Sequence, residues 1–488
     1  MQLKDTSLFR QQAYIDGAWL GADSGQAIKV SNPATNEILG TVPKMGAAET
    51  RRAIEAADKA LPAWRALTAK ERSNKLRRWF ELMIENQDDL ARLMTLEQGK
   101  PLAEAKGEIT YAASFIEWFA EEAKRVYGDT IPGHQPDKRL IVIKQPIGVT
   151  AAITPWNFPA AMITRKAGPA LAAGCTMVLK PASQTPFSAL ALAELAERAG
   201  IPKGVFSVVT GSAGDIGSEL TSNPIVRKLS FTGSTEIGRQ LMAECAKDIK
   251  KVSLELGGKN SLIVLDDADM DLAIANTAWG VYLHQGQICM ATGRVLVQRS
   301  IHARFLEKLV AKARSLKVGN PADGEVAIGP LINAQQRDHA ARIVAEAQAA
   351  GATLATGGGY KDLFFEPTVL SDVSRDNPAF HEEIFAPVAV VVPFDTDDEA
   401  VELANDSEYG LSMAIVSSNV GRALKLGERL RTGLLHINDQ TVNDEVINPF
   451  GGVGASGNGT SIGGPSNIDE FTQWQWMTVK GEAPAYPI

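Results

Sequence analysis

The sequence predicts an α/β protein in which a parallel, doubly wound sheet is followed by a second α/β domain. The chain has 488 residues, too many for one hydrophobic core. Between residues 148 and 258, apolar strands such as GVTAAI and TMVLK alternate with amphipathic helices such as FSALALAELAERAG. This alternation is typical of a parallel sheet with helices on both faces. A second run of strands and helices, including RVLVQR and HARFLEKLVAKARSL, begins at Lys259.

The segments outside these two runs predict scaffold elements. Residues 12–48 carry short strand-like runs separated by turns, which favours a small antiparallel element. Residues 47–127 carry apolar residues three and four positions apart, which indicates amphipathic helices. RLIVIKQPIGV at residues 139–149 is an apolar strand interrupted by a proline, typical of a sheet edge. An open strand edge favours pairing with a second copy of the chain.

Composition and charge exclude several classes of partner. The net charge is -8, and acidic and basic residues are interspersed, so no basic face is offered to nucleic acid or to an anionic membrane. The N-terminal segment lacks the apolar core of a signal peptide, and no apolar run reaches membrane-spanning length. We therefore expect a cytoplasmic protein with neither nucleic acid nor a membrane as a partner.

The three cysteines indicate a reducing compartment, because they are too few for a disulfide framework. Cys175 and Cys245 lie in strand-like and helix-like segments, where packing roles are expected. Cys289 lies in HQGQICMATGR, which reads as an exposed turn, so its thiol is a candidate nucleophile. The alternative for Cys289 is a buried apolar filler. The six histidines are not spaced as metal ligands, so no catalytic metal is expected.

Polar residues follow several strands of the predicted parallel sheet. Asn157, Lys180, Gly233 and Glu255 all come at carboxyl ends, where doubly wound sheets bind their ligands. No GxGxxG follows the first strand. Gly233 and Ser234 begin a predicted helix whose free amides could hold a phosphate instead. Alternatively, they simply cap that helix.

Five motifs in one order carry a resemblance to a known family. They are TPWNFP at 154–159, LELGGK at 254–259, the Cys289 segment, FTGSTEIG at 231–238 and EEIFAP at 382–387. Together they resemble the aldehyde dehydrogenase superfamily from near residue 10 to the C-terminus. The resemblance implies an aldehyde dehydrogenase-like α/β fold with a Rossmann-type cofactor domain, an α/β catalytic domain and a small β oligomerisation element. The implied bounds are 1–126 with 148–257, then 258–455, then 127–147 with 456–488, in a homo-oligomer that is a dimer or a tetramer.

The resemblance also implies roles for residues. Cys289 is the nucleophile towards an aldehyde, the side chain of Asn157 and the backbone amide of Cys289 stabilise the oxyanion, and Glu255 is the general base. The residues expected to bind the nicotinamide cofactor are Trp156, Lys180, Ser183, Gly233, Ser234, Glu383 and Phe385. Ser183 stands where relatives that prefer NAD commonly have a glutamate, so the expected cofactor is NADP, with NAD possible.

The expected substrate depends on the pocket beside Cys289. Residues 1–257 resemble succinate-semialdehyde dehydrogenases, whereas the motifs after Lys259 resemble benzaldehyde-type enzymes, which suggests a chimera. The expected pocket residues are Phe158, Met162, Arg165, Leu283, Ile288 and Met290. Leu283 stands where semialdehyde enzymes carry an arginine, and Asp444 lies near their serine, so we expect an aromatic aldehyde such as benzaldehyde. The alternatives are succinate semialdehyde, or a folded but inactive chimera with a structural role.

Overall fold

The computed structural model of the protein describes residues 2–486. Residue 1 and residues 487–488, which the predicted domain bounds include, lie outside the described residues. The α-helices, numbered in chain order, are α1 (Ala47–Ala66), α2 (Ala69–Glu85), α3 (Gln87–Gln98), α4 (Leu102–Glu122), α5 (Ala161–Ala173), α6 (Pro186–Arg198), α7 (Ala213–Ser222), α8 (Thr235–Cys245), α9 (Met270–Tyr282), α10 (Arg299–Ser315), α11 (Ala334–Ala349), α12 (Pro378–His381), α13 (Asp397–Asn405), α14 (Val420–Gly427) and α15 (Ser466–Glu470).

The strands share the same chain-order numbering. They are β1 (Ala13–Ile15), β2 (Ala18–Leu20), β3 (Ala27–Ser31), β4 (Ile38–Pro43), β5 (Asp129–Pro132), β6 (Lys138–Pro146), β7 (Val149–Ile153), β8 (Thr176–Lys180), β9 (Phe206–Val208), β10 (Val226–Thr232), β11 (Lys251–Glu255), β12 (Asn260–Val264), β13 (Thr292–Gln298), β14 (Thr353–Thr356), β15 (Tyr360–Lys361), β16 (Phe364–Phe365), β17 (Thr368–Ser371), β18 (Val388–Phe394), β19 (Tyr409–Gly410), β20 (Ser412–Val416), β21 (Leu434–Ile437), β22 (Val453–Gly454) and β23 (Thr472–Lys480).

The first large sheet has the strand order β11-β10-β7-β8-β9-β1-β2. Strands β7 to β11 run parallel, which confirms the predicted doubly wound α/β arrangement. The chain runs outward from β7 through β8 and β9, then adds β10 and β11 on the other side of β7. The strand order therefore reverses between β7 and β10, and ligands of such sheets bind at the carboxyl ends beside this reversal.

The predicted antiparallel element at residues 12–48 forms two hairpins. The hairpin of β1 and β2 extends the first sheet, because Tyr14 pairs with Val208 at its edge. The hairpin of β3 and β4 is separate. The prediction is therefore confirmed for the antiparallel pairing, but half of the element belongs to the large sheet.

The second large sheet has the strand order β14-β17-β18-β13-β12-β20-β21. It is parallel except for β14, which pairs antiparallel with β17. Only residues 256–259 separate the last strand of the first sheet, β11, from the first strand of the second, β12. Side chains that follow β11 and side chains that precede β13 can therefore meet between the two sheets.

A third sheet joins two distant parts of the chain. Strands β5, β6 and β23 are antiparallel, with Pro146 paired to Thr472 at one end of the β6–β23 ladder and Lys138 paired to Lys480 at the other. Trp474 and Trp476 on β23 are mostly exposed. This sheet is formed by the two segments that the sequence assigns to an oligomerisation element.

Helices cover the first sheet and fix the segment after β7. Every residue of α5 is buried, because α5 lies against α4 on one side and the sheet on the other. Gly168 allows this close contact, since a Cβ there would lie 3.0 Å from the ring of Phe119. No helix within residues 2–486 is long and apolar enough to cross a membrane. Nor do three or more His, Cys, Asp or Glu side chains of that range cluster where a metal ion could be held.

Candidate active site

Asn157 lies in the segment that follows β7, at the reversal of the first sheet. Its side chain is buried, and its Nδ2 donates to the carbonyl of Gln287 over 2.9 Å. Its Oδ1 accepts from the backbone N–H of Phe158 over 3.1 Å. Since Gln287 is two residues before Cys289, the carboxamide of Asn157 links the first sheet to the cysteine segment.

Cys289 lies between a short turn after α9 and strand β13. The predicted exposed turn is wrong in its exposure: the thiol is half-buried, and His284, Gln285 and Ile288 before it are buried. The backbone carbonyl of Cys289 accepts from Nδ2 of Asn260 over 2.8 Å, which anchors the segment to the second sheet. Burial, with the nearby carboxyl of Glu255, raises the pKa of the Cys289 thiol to about 12.

Glu255 is the last residue of β11, and its carboxyl group is buried. Neither carboxyl oxygen has a hydrogen-bond partner within residues 2–486. Burial raises the pKa of Glu255 well above its usual value, while the cations Arg165 and Lys166 oppose that rise. A carboxyl group without partners at the end of a buried strand can exchange protons with a ligand or a water molecule.

Cys289 and Glu255 line a cavity of 530 Å³. Its wall is mostly apolar and aromatic, a composition typical of small-molecule sites. The sequence-predicted pocket residues that line it are Phe158, Met162, Arg165, Leu283, Ile288 and Met290. All six lie together although they come from two separate stretches of the chain, residues 158–165 and residues 283–290.

Arg165 is buried in this cavity and is already ion-paired. Its Nη2 donates to Oδ2 of Asp444 over 3.0 Å, and the hydroxyl of Tyr111 donates to the same oxygen. The guanidinium lies over the rings of Phe115 and Phe450. Its Nε is buried without an acceptor in the described part of the chain. Asp444 thus partly neutralises Arg165 but leaves it N–H groups for a further acceptor.

A second cavity of 220 Å³ meets the first one at Cys289. It is lined by five of the residues expected to bind a cofactor, Trp156, Gly233, Ser234, Glu383 and Phe385. Cys289, Phe158 and Met162 line both cavities. A molecule in the second cavity and a molecule in the first would therefore both reach the thiol.

Helix and strand ends build the second cavity. Ser234 is the N-cap of α8, so first-turn amides without helical partners face this region. The rings of Trp156 and Phe385 meet edge to face, with centroids 5.6 Å apart. Glu383 accepts from the backbone N–H of Gly258 over 2.8 Å, and burial raises its pKa to about 7.

Lys180 and Ser183 do not line this cavity. Lys180 is buried at the end of β8, where its Nζ donates to the carbonyl of Pro181 over 3.0 Å. Burial lowers the pKa of Lys180 to about 8. Ser183 lies half-buried in the turn that follows. Both residues lie at the carboxyl edge of the first sheet, after β8, which is next to β7 on the side opposite β10.

With this geometry in place, comparison with known proteins identifies the family. The profile of the Aldehyde dehydrogenase family matches residues 19–477. The chain belongs to this family. A glutarate-semialdehyde dehydrogenase from Pseudomonas aeruginosa is 63% identical over 99% of this chain and 100% of its own length. A succinate-semialdehyde dehydrogenase from Escherichia coli, named for NADP(+), is 60% identical over 98% of this chain and 100% of its own length.

Solved structures of aldehyde dehydrogenases share the whole fold. An NADP-dependent enzyme from Escherichia coli is 59% identical with a TM-score of 0.96, over 98% of this chain and 100% of the other. A betaine aldehyde dehydrogenase from Staphylococcus aureus, in complex with NAD+, is 35% identical with a TM-score of 0.95, over 97% of this chain and 96% of the other. The predicted aldehyde dehydrogenase-like fold and enzyme class are confirmed.

These relatives give no support to the chimera that the sequence suggested. Single natural proteins match the chain from end to end at high identity, so one origin accounts for both halves. The names of these relatives are those of semialdehyde enzymes, which gives no support to the expected aromatic substrate. Leu283 and Asp444, on which the aromatic expectation depended, both line the cavity beside Cys289.

Sequence reasoning missed several polar residues of this site. Lys166 is buried, its Nζ donates to Oγ1 of Thr232 over 2.5 Å, and burial lowers its pKa to about 7. Its position directly after Arg165 could have indicated it. Lys100 and Glu108 line the cavity from the start of α4, and no motif pointed to them.

Proposed function

We propose that Cys289, Asn157 and Glu255 carry out the oxidation of an aldehyde to a carboxylic acid in this dehydrogenase. One observation carries the proposal: Cys289 lines both cavities, so one sulfur can face an aldehyde on one side and a nicotinamide ring on the other. Glu255 shares the aldehyde cavity, and Asn157 lines the second cavity next to Phe158, which lines both.

The first step is addition of sulfur to the aldehyde carbon. A thiol with a pKa of about 12 is neutral at pH 7, so it must lose its proton as it attacks. Glu255 is the acceptor, because its own raised pKa makes it a stronger base than an ordinary carboxylate. The new carbon–sulfur bond moves the carbonyl electron pair onto oxygen, which forms a thiohemiacetal oxyanion.

Asn157 stabilises that oxyanion. A carboxamide has two N–H donors, and one of those of Asn157 is used by the carbonyl of Gln287. The second N–H and the backbone N–H of Cys289 are donated to the substrate oxygen. The carbonyl of Gln287 therefore does more than join two segments, since it fixes the direction of the free N–H.

The second cavity fits a nicotinamide cofactor. Trp156, Ser234, Glu383 and Phe385 would hold it, with the first turn of α8 facing a phosphate. When bound, NAD(P) accepts the hydride that leaves the substrate carbon. The cavity meets the aldehyde cavity beside Cys289, so those residues would also keep the hydride acceptor close to the carbon that is attached to sulfur.

Glu255 then completes the reaction. Loss of hydride leaves an acyl thioester on Cys289, which water must cleave. Glu255 first gives the proton from the thiol to solvent, which restores its carboxylate. The carboxylate then takes a proton from the attacking water, the water oxygen bonds to the acyl carbon, and the carbon–sulfur bond breaks to release the acid while the proton passes to the sulfur of Cys289. Arg165 and Lys166 favour the ionised carboxylate that this step requires.

For the cofactor, we propose NADP, with NAD also accepted. Ser183 carries no charge that would repel a 2'-phosphate, and Lys180 supplies a cation on the same edge of the sheet. Its pKa of about 8 leaves that lysine mostly protonated at pH 7. A relative from Escherichia coli is named for NADP(+), which agrees with this preference.

For the substrate, we propose an aldehyde with a carboxylate at its other end, such as succinate or glutarate semialdehyde. The relatives that match end to end are named for these compounds. Arg165 supports this class, because its buried Nε has no acceptor among the described residues while Nη2 binds Asp444. A guanidinium has five N–H donors, enough for Asp444 and a substrate carboxylate together.

An aromatic aldehyde is the second candidate, supported by two observations. Asp444 already neutralises Arg165, which weakens the attraction for a second anion. Leu283, Ile288 and Met290 form an apolar wall beside the thiol, which suits a flat ring. Both candidates use the same chemistry at Cys289.

The deciding experiment compares kcat/KM for succinate semialdehyde, glutarate semialdehyde and benzaldehyde on one preparation. Each aldehyde is tested with NADP+ and with NAD+ by the absorbance of the reduced nicotinamide. We expect the two semialdehydes to exceed benzaldehyde, and NADP+ to exceed NAD+. A preference for benzaldehyde would establish the second candidate, and turnover that survives Cys289→Ala would contradict the mechanism.

A further inference from the structure

A buried ion pair lies beside the aldehyde cavity and has no part in the chemistry above. Lys100, two residues before α4, contacts Glu108 within α4 through Nζ and Oε2. Both side chains are about 1% exposed. Burying two charges costs several kcal/mol per ion unless the remaining donors and acceptors are satisfied, so the partners of this pair are informative.

The remaining contacts of the pair all fall on the segment that carries Asn157. The Nζ of Lys100 donates to the backbone carbonyl of Asn157 over 2.8 Å. The Oε1 of Glu108 accepts from the backbone N–H groups of Ala160, over 2.9 Å, and Ala161, over 3.2 Å. The pair therefore holds residue 157 at one end and the first turn of α5 at the other.

Phe158 completes the arrangement. The ammonium of Lys100 lies 4.3 Å from the centroid of the Phe158 ring, a favourable cation–π distance. The backbone N–H of Phe158 is the donor to Oδ1 of Asn157. Lys100 thus contacts Asn157 directly through its carbonyl and indirectly through the residue that orients its carboxamide.

Glu108 does not need Lys100 as a partner in order to cap α5. In the same stretch of chain, Glu97 accepts from the backbone N–H groups of Phe187 and Ser188 at the start of α6. Glu97 does this without an ion-pair partner among the described residues. A glutamate alone therefore suffices for capping, and Lys100 adds a bond to the carbonyl of Asn157 that capping does not require.

We propose that Lys100 and Glu108 are positioning residues that fix the Asn157 amide towards the substrate oxygen. The inference rests on the proposed role of Asn157 in stabilising the oxyanion. The pair clamps the backbone on both sides of residues 157–159, so the free N–H of the carboxamide keeps one direction while the substrate changes from planar to tetrahedral. Fixed donors stabilise developing charge better than donors that must reorient.

The test replaces both charges at once, because a single replacement leaves the other ion buried and unpaired. In Lys100→Met/Glu108→Gln, the glutamine keeps an acceptor for the amides of α5. Loss of one oxyanion donor costs about 10² to 10³ in kcat, so we expect displacement of that donor to lower kcat by about 10- to 100-fold. KM for the aldehyde, Kd for NADP+ and the rate of Cys289 alkylation by iodoacetamide should change less than about 2-fold, because the lost interaction is made only in the transition state.

A double-mutant cycle with Asn157→Ala distinguishes a positioning effect on the amide from a general disturbance of the active site. If the pair acts through the amide, Lys100→Met/Glu108→Gln added to Asn157→Ala lowers kcat by no more than about 2-fold further. An equal loss in both backgrounds would overturn the proposal. So would a parallel fall in kcat, cofactor binding and alkylation, or an unchanged kcat. Glu108→Gln alone keeps an acceptor for the amides of α5 but loses the one that binds Lys100. It is measured in the same cycle, and if the double variant does not fold, we expect it to lower kcat in the parent without a further fall in Asn157→Ala.

A matched control is a second buried ion pair away from the cavity. Lys228 is buried and contacts Glu470 over 3.2 Å between the first sheet and α15. Lys228→Met/Glu470→Gln makes the same chemical change, and we expect kcat to stay within about 2-fold of the parent because neither residue is bonded to the Asn157 segment. Failure of the proposed function itself is distinct, since the parent enzyme would then show no Cys289-dependent oxidation of any aldehyde.

Discussion

At the residue scale, reactivity depends on which charges the fold buries beside Cys289. Glu255 raises the pKa of the thiol, whereas Arg165 lowers it. Arg165 is in turn paired with Asp444, a residue 279 positions away in the chain. The thiol of Cys289 and the guanidinium of Arg165 therefore share one set of buried charges, and changing one of these charges alters the surroundings of both groups.

The first prediction concerns the pH dependence of thiol reactivity. Since burial raises the pKa of Cys289 to about 12, its thiolate fraction rises as pH rises towards that value. We expect the rate of alkylation by iodoacetamide to increase about tenfold per pH unit between pH 7 and 9. Mass spectrometry of the peptide that contains residue 289 measures this rate. A plateau near pH 7 would show that the thiol is already ionised there.

The second prediction concerns Asp444. Its carboxylate repels a substrate carboxylate that approaches Arg165, so Asp444→Asn should raise kcat/KM for succinate semialdehyde by about 10-fold, equivalent to about 1.4 kcal/mol. The value for an uncharged aldehyde should change much less. Glu445→Gln is the matched control, because this exposed neighbour loses the same charge outside the cavity. A lower kcat/KM for the semialdehyde in Asp444→Asn would mean that Asp444 assists binding.

At the element scale, the turn between α9 and β13 determines where the thiol lies. His284, Gln285 and Gly286 all have positive φ, at 50°, 57° and 69°. His284 and Gln285 carry a Cβ, so this conformation costs them energy that the surrounding contacts must offset, whereas Gly286 adopts it freely. Gln285 supplies some of these, because its Nε2 donates to the carbonyls of Gly99 and Pro330. Contacts with distant segments, rather than local sequence preference, therefore stabilise this turn.

The third prediction tests this turn. In Gly286→Ala, a Cβ would lie 2.3 Å from the carbonyl oxygen of Ala386, so the backbone before Cys289 must move. We expect kcat to fall by at least about 100-fold and the melting temperature to fall as well, because misplaced reacting groups lose large factors in rate. Gly351→Ala isolates the cost of positive φ, since that glycine has φ 96° and open space around it. The control should lose about 1 kcal/mol of stability and keep full activity.

Sequence reasoning worked best where strand ends carry the chemistry. Asn157, Gly233 and Glu255 follow parallel strands, whose carboxyl ends must share one edge, so their proximity could be predicted. The pairing of Arg165 with Asp444 could not, because it depends on how a late loop packs over the first sheet. The burial of Cys289 was also missed, since small and polar neighbours look alike in an exposed turn and in a turn between two sheets.

At the scale of the whole molecule, the third sheet presents a surface that favours self-association. Trp474 is 57% exposed and Trp476 is 67% exposed, and both lie on one face of β23. Ile131 on β5 adds an exposed apolar side chain to that face, because its partner Leu140 pairs with Thr478, two residues from Trp476. Adjacent exposed apolar residues typically mark an interface, so we expect a homo-oligomer that buries this face.

The fourth prediction tests that interface. Trp476→Asp places a charge at the centre of the apolar face, and we expect it to raise the dissociation constant of the oligomer by at least about tenfold, or 1.4 kcal/mol. Light scattering coupled to size-exclusion chromatography measures the change in mass. Gln475→Asp adds the same charge on the opposite face of the strand and should leave the mass unchanged. Equal masses for all three proteins would place the interface elsewhere.

The short connection at residues 256–259 has a consequence for inactivation. Glu255 ends a strand of the first sheet, whereas Cys289 is tethered to the second through Asn260. The carboxyl group of Glu255 and the sulfur of Cys289 thus belong to different sheets. A small displacement of one sheet relative to the other would separate these two groups while both sheets stay folded. Turnover should consequently be lost at a lower urea concentration than the helical circular dichroism signal, so that the enzyme is inactivated before it unfolds.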